Sequence, residues 1–219
     1  MRREATLIHG TASTASHTWE RSGWLELLED AEIAVALFPL PGHAGSTLPA
    51  SAPLEAVVDA LLDTARDSTI LIGFSAGATL ALHAALAAEG RITTLVLLGL
   101  GDGFWSAGSA KPDVAERMRQ GATDAFTRLM SATATSAGNT VEDVATFIEA
   151  AHSPPPLSGL SAVSARTLII CGTDDAAGPV TGLTSALPEA TVLSPVGLDH
   201  FRTTSSREVM TAVMRFLQR

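Results

Sequence analysis

Six short apolar runs, nearly free of polar residues and separated by stretches of helical periodicity, restrict this chain more than any single motif does. The runs are Ala5–Ile8, Ile33–Phe38, Thr69–Gly73, Thr94–Leu98, Thr167–Cys171 and Ala190–Leu193. Strands that alternate apolar and polar residues keep one face in water, whereas runs that are apolar throughout belong to strands covered on both faces. Helical candidates lie between them, near Trp19–Glu29, Pro53–Arg66, Ala76–Ala88 and Ser206–Leu217. In the second, Pro53 stands in the first turn, and Leu54, Val57, Val58, Leu61 and Leu62 recur at helical spacing. Strand–helix alternation calls for right-handed crossovers, which put helices on both sides of parallel strands. The expected fold class is α/β, with a mostly parallel, doubly wound sheet of about six strands.

One interval breaks this rhythm. Between Asp102 and Ala165 no strand pattern appears, only two helical patches, Asp113–Met130 and Val141–Ala151. The small-residue stretch S-A-T-A-T-S-A-G-N-T divides them, and S-P-P-P-L-S-G leads back to the sheet. So long a departure is rarely a plain connection and is commonly functional. The expected organisation is a core of residues 1–101 and 166–219 carrying a helical cap or lid at 102–165. A chain of 219 residues accommodates one such domain with its own buried core.

Charge and composition exclude several classes. The net charge is −9, with a single lysine, Lys111, and thirteen scattered arginines, so the basic patch that nucleic acid requires is missing. A lone cysteine, Cys171, cannot form an internal disulfide or a cysteine-based zinc site. Ser68–Ala88 carries no charged residue and approaches the length of a membrane span, but Gly73 and Gly77 split it into a strand, a turn and a helix. The first residues hold no apolar segment long enough for a signal peptide. A cytoplasmic protein with no membrane or nucleic-acid partner is expected.

The chemistry centres on G-F-S-A-G, Gly73–Gly77, which follows the run Thr69–Ile72 and opens the helix near Ala76. A strand–turn–helix this tight needs small residues at its flanks and projects the central Ser75 hydroxyl above the sheet edge. The helix N-terminus behind it offers partial positive charge to a developing anion. A serine hydroxyl is a weak nucleophile and needs a base that is itself oriented by a third group. His200, in G-L-D-H-F, supplies the base, and Asp174 and Asp175, after T-L-I-I-C, supply acids, each at the end of a strand. Asp102, after the strand Thr94–Leu98, competes for the acid role. The first strand ends in H-G-T, His9–Thr11. A loop there and the residue after the nucleophile furnish oxyanion-hole amides, so the expected donors are the N–H groups of Thr11 and Ala76. His9 reads as a residue holding that loop and His43 as a turn or pocket-rim residue. Asp199 reads as solvated, and His17, His83 and His152 have no partners suggested by spacing. No metal-ligand set emerges, and no cofactor is expected.

These motifs together resemble the α/β-hydrolase superfamily, in its small, cap-bearing esterase and acyl-transfer branch. The resemblance covers nearly the whole chain: H-G with Trp19 ten residues after His9, P-G-H-A-G-S at Pro41–Ser46, G-F-S-A-G, G-T-D-D at Gly172–Asp175 and D-H-F at Asp199–Phe201. It implies Asp175 as the acid, because the family's acid stands three residues after the glycine that ends its strand. It also implies a sheet beginning on the family's third strand and lacking the first two. Two departures occur: Pro39 replaces the family's aspartate before the P-G-H turn, and Ala44 replaces a glycine. Relatives that open epoxides use cap tyrosines and an aspartate nucleophile; this chain has no tyrosine and has Ser75 at that place.

The expected activity is a serine hydrolase cleaving a small ester or thioester, free or carrier-bound, through an acyl-enzyme. Phe74, Phe104, Trp105, Phe126, Leu129, Met130 and Phe201 are the candidates for an apolar substrate pocket. The same residues would serve an acyltransferase that passes the acyl group to an acceptor other than water. A ligand-binding protein with incidental slow turnover is the third reading.

Overall fold

All six apolar runs form strands in the computed structural model, which describes residues 3–106, 111–121, 124–150, 153–187 and 189–218. They are β1 (Arg3–Ile8), β2 (Ile33–Phe38), β3 (Ile70–Phe74), β4 (Thr94–Leu98), β5 (Arg166–Ile170) and β6 (Thr191–Leu193). The sheet order is β2-β1-β3-β4-β5-β6 and every pairing is parallel. The chain starts at β1, steps to one side for β2, then crosses back to β3 and continues to β6. The reversal opens a crevice beyond the carboxyl ends of β1 and β3, where open parallel sheets place their ligand sites.

Both faces of the sheet are buried, as uninterrupted apolar strands demand. Leu71, Leu95, Leu97 and Ile169 face the cluster formed with α2 (Leu54–Thr64), α3 (Ala76–Ala87) and α8 (Thr181–Ala186). Their neighbours Ile70, Ile72, Val96, Leu98, Leu168 and Ile170 face α1 (Trp24–Asp30) and α9 (Arg207–Leu217). The last helix is strongly amphipathic and turns Val209, Met210, Val213, Phe216 and Leu217 inward, with the Ser206 hydroxyl accepting the Val209 N–H at its start.

Several boundaries differ from the sequence expectation. Trp19–Glu29 is not one helix: a π-helical turn at Ser16–Glu20 ends before Gly23, whose φ of 86° breaks the path into α1. The patch Asp113–Met130 divides into α5 (Lys111–Arg119) and α6 (Ala125–Ser136) because Gly121, at φ 66°, ends the first and the Asp124 carboxylate caps the second. Residues 131–136 of the small-residue divider extend α6, so only 137–140 separate it from α7 (Val141–Ala150). Two short helices, α4 (Gly103–Ser106) and α8, carried too little periodicity to be read.

The insertion between β4 and β5 has two parts. Met118, Met130, Ala134, Val144, Ala145 and Ile148 of α5–α7 form an apolar cluster of their own. The flanks belong to the sheet's packing instead: Leu160 is buried in the α2–α3 cluster, and Phe104, Trp105 and Leu157 pack against it.

Candidate active site

Ser75 is the only residue between β3 and α3. Its backbone, at φ 56° and ψ −119°, lies where a residue with a side chain is strained by about 1–3 kcal/mol. Hydrogen bonds hold it there: Ser75 N–H donates to Leu98 O at 2.9 Å, and Ser75 O accepts from the N–H groups of Ala78 and Thr79. The flanking glycines are required by space. A Cβ on Gly73 would overlap the Gly77 carbonyl and the Ala78 backbone, and one on Gly77 would overlap the carbonyls of Ile8 and His9.

His200, in the loop after β6, joins Ser75 to Asp175, in the loop after β5. Its Nε2 lies 3.0 Å from Ser75 Oγ, and its Nδ1 lies 2.9 and 3.0 Å from the two Asp175 oxygens. With Nδ1–H donating to the carboxylate, Nε2 is left to accept the serine proton. The Phe74 ring lies against the imidazole at 5.0 Å between centroids, and Phe201 meets it edge-on. Asp175 is 5% exposed. Burial opposes its charge, but the bonds and charge of His200, the Ala177 N–H and the Cys171 thiol outweigh that cost and hold the carboxyl below its usual range. Cys171 is affected in the opposite sense: burial, then the neighbouring Asp175 charge, push its thiol up to about 12.

Asp102, the alternative acid, is engaged elsewhere. Its carboxylate accepts the N–H groups of Gly182 and Leu183 at 2.8 and 2.9 Å, capping α8. Asp174 is exposed and takes the Thr173 hydroxyl. Asp199 accepts the Arg202 N–H across a turn.

The loop after β1 closes over the crevice. Thr11 N–H and Ala76 N–H have no acceptor among the described residues, and both residues line the cavity around Ser75. Two buried histidines build this loop. His9 donates Nδ1–H to Gly10 O and accepts the Leu40 N–H at Nε2; His43 donates Nδ1–H to Pro41 O and accepts the Ala12 N–H. Each must be neutral to accept. Burial, then the nearby His43, lower the His9 pKa to about 3, and burial lowers that of His43. His83 bonds the Ser153 carbonyl, His17 lines the cavity, and His152 lies outside the described residues.

The cavity above Ser75 measures about 650 Å³. Phe74, Phe104, Phe126, Leu129, Met130 and Phe201 line it. Phe126, Leu129 and Phe201 are half exposed. Trp105 is the exception: it lies outside the lining, packs toward the core and donates its indole N–H to Pro155 O at 2.8 Å. Phe147 and Ile148 of α7, with Val57 and Leu80, complete an apolar wall that no motif in the sequence singles out. Apart from His17, Asp175 and His200, no described lining side chain is ionisable. Among the described residues no group of His, Cys, Asp or Glu could hold a metal ion, and no helix is long and apolar enough to cross a membrane.

A six-stranded parallel sheet with a serine-bearing strand–turn–helix at its crevice defines a hydrolase-type α/β protein. The chain belongs to the alpha/beta hydrolase family, whose model matches residues 7–212. It is 37% identical over 95 residues to the pimeloyl-[acyl-carrier protein] methyl ester esterase of Methylococcus capsulatus, a stretch covering 43% of this chain and 36% of that one. Its fold is similar to that of MenH from S. aureus, with a TM-score of 0.79 at 18% identity over 100% of this chain and 94% of that one. It is also similar to a thermophilic esterase from Thermogutta terrifontis, with a TM-score of 0.75 at 22% identity over 99% and 89% of the two chains.

Proposed function

We propose that this protein is a serine hydrolase that cleaves an uncharged ester or thioester with an apolar acyl group. The observation that carries the reading is the His200 imidazole spanning Ser75 Oγ and the Asp175 carboxylate at hydrogen-bond distance, at the base of an apolar cavity. Ser75 Oγ attacks the acyl carbon while its proton passes to His200 Nε2, and Asp175 stabilises the imidazolium that forms. The carbonyl oxygen becomes an oxyanion facing the N–H groups of Thr11 and Ala76, the only charge-stabilising donors this reading needs. Collapse expels the alcohol or thiol, which takes the proton back from His200. A water, deprotonated by the same imidazole, then releases the acid. The near absence of ionisable lining groups disfavours an acyl chain ending in a carboxylate, because a buried unpaired charge is costly. Phe126, Leu129 and Phe201 line the cavity while half exposed, so a carrier-bound acyl group is compatible with this reading.

The test is covalent labelling by a fluorophosphonate combined with a burst assay on p-nitrophenyl acyl esters. Wild-type protein should label and turn over, and Ser75→Ala should lose both by several orders of magnitude while staying folded. Rapid acylation with slow release in water would indicate an acyltransferase. Absence of labelling would indicate a binding protein.

A further inference from the structure

We infer that Asn139 is a positioning residue, holding the loop after β1 so that the Thr11 N–H is aimed at the developing oxyanion only while α5–α7 are seated; this rests on the ester-hydrolase reading. Asn139 lies between α6 and α7, about as far along the chain from Thr11 as Ser75 is from His200, yet it is 8% exposed and fully engaged. Its Nδ2 donates to both Ala12 O and Ser13 O at 3.0 Å, and its Oδ1 accepts the Ala44 N–H at 2.8 Å. One side chain of the insertion therefore grips two successive carbonyls of the loop and the turn after β2.

Ala12 shows why the loop needs such a grip. It is a non-glycine residue at φ 66°, a conformation the chain does not hold unaided. Its N–H is taken by His43 Nε2, its carbonyl by Asn139, and its methyl is buried in one apolar cluster with residues of α5–α7. Phe147 of α7 meets the His43 ring edge-on at 5.0 Å, so both partners of Ala12 are steadied by the insertion. Thr11 precedes this clamped residue. If Ala12 relaxes from the left-handed region, the preceding peptides turn with it and the Thr11 N–H leaves its direction. An oxyanion donor works by being aimed before charge develops, so such a loss falls on the transition state and spares ground-state binding.

The experiment compares Asn139→Ala and Asn139→Asp with wild type on p-nitrophenyl butyrate. The aspartate keeps an acceptor for Ala44 but has no donors for the loop, so it separates anchoring of the insertion from holding of the loop. Both variants should lose about ten- to a hundredfold in kcat with KM within about twofold, less than outright removal of a donor costs. Affinity for an alkyl boronic acid, which forms a tetrahedral adduct on Ser75, should fall by the same factor. A loss confined to KM, an Asn139→Asp variant with full kcat, or unchanged boronate affinity would overturn the assignment. Should neither variant fold, the wild type carries the test through amide exchange. Phosphonylation of Ser75 should slow exchange at 10–13 and 139–144 together, and a change in one segment alone would overturn the inference. Wild-type protein that neither labels nor turns over would overturn both this inference and the hydrolase reading, whereas active, freely labelled Asn139 variants would strike this inference alone.

Discussion

Replacing Asp175 by asparagine tests the chemistry most sharply, because the structure dictates how the new amide must sit. Asp175 Oδ1 accepts the Ala177 N–H at 2.8 Å, while both oxygens lie within 3.0 Å of His200 Nδ1. The asparagine carbonyl must therefore take the Oδ1 place, since an NH2 there would face the Ala177 N–H. Its NH2 then occupies the Oδ2 place, 2.9 Å from His200 Nδ1. Two donors cannot share that contact, and the carbonyl in the Oδ1 place is already taken by the Ala177 N–H, so the balance moves toward the imidazole tautomer that carries its proton on Nε2 and presents an N–H to Ser75 Oγ instead of a lone pair. The serine keeps its proton. The same substitution in the serine-protease triad, a worked case of amide-induced tautomer reversal, costs about 10⁴ in turnover, or about 5.4 kcal/mol of transition-state stabilisation. Asp175→Asn should show a loss of that order in kcat on p-nitrophenyl esters and a matching loss in the fluorophosphonate labelling rate. Circular dichroism and thermal melting should stay close to wild type. A folded Asp175→Asn protein within tenfold of wild-type kcat would refute the tautomer argument and remove Asp175 from its proposed role.

Asp102→Asn should leave kcat within about threefold, because Asp102 contacts the start of α8 rather than His200, so the one N–H contact that an amide cannot accept is lost at α8 and not at the imidazole. A loss comparable to that of Asp175→Asn would reverse the assignment. Acid should destabilise the fold through His9, whose folded pKa of about 3 lies far below the ordinary 6.5. Between those values the unfolded chain binds a proton that the folded chain refuses, so stability falls as pH falls through that window. His43 is shifted in the same direction and adds to the slope. Urea midpoints measured from neutral pH down to about pH 4 should decline steeply, and His9→Gln should flatten the decline; equal slopes would contradict a neutral, buried His9.

Local pattern was enough to place the strands, the tight turn at Ser75 and the family, because each depends on residues close together in sequence. Apolar continuity marks a strand covered on both faces, and Gly73 and Gly77 are needed by a turn five residues long. The order of serine, acid and histidine along the chain also narrowed the site to a few candidates. What pattern could not decide were matters of distance between elements. Asp102 and Asp175 both follow strands, and only tertiary packing turns one toward α8 and the other toward His200. Phe126 and Trp105 are both aromatic residues in the insertion, yet one reaches the cavity and the other the Pro155 carbonyl. Asn139 sits among small residues that locally signal nothing beyond a helix break. Its bonds to Ala12 and Ser13 bridge 127 and 126 residues of chain, a separation at which no periodicity or spacing rule operates. Secondary structure is written in neighbouring residues, whereas the aim of a side chain is set by where whole elements come to rest.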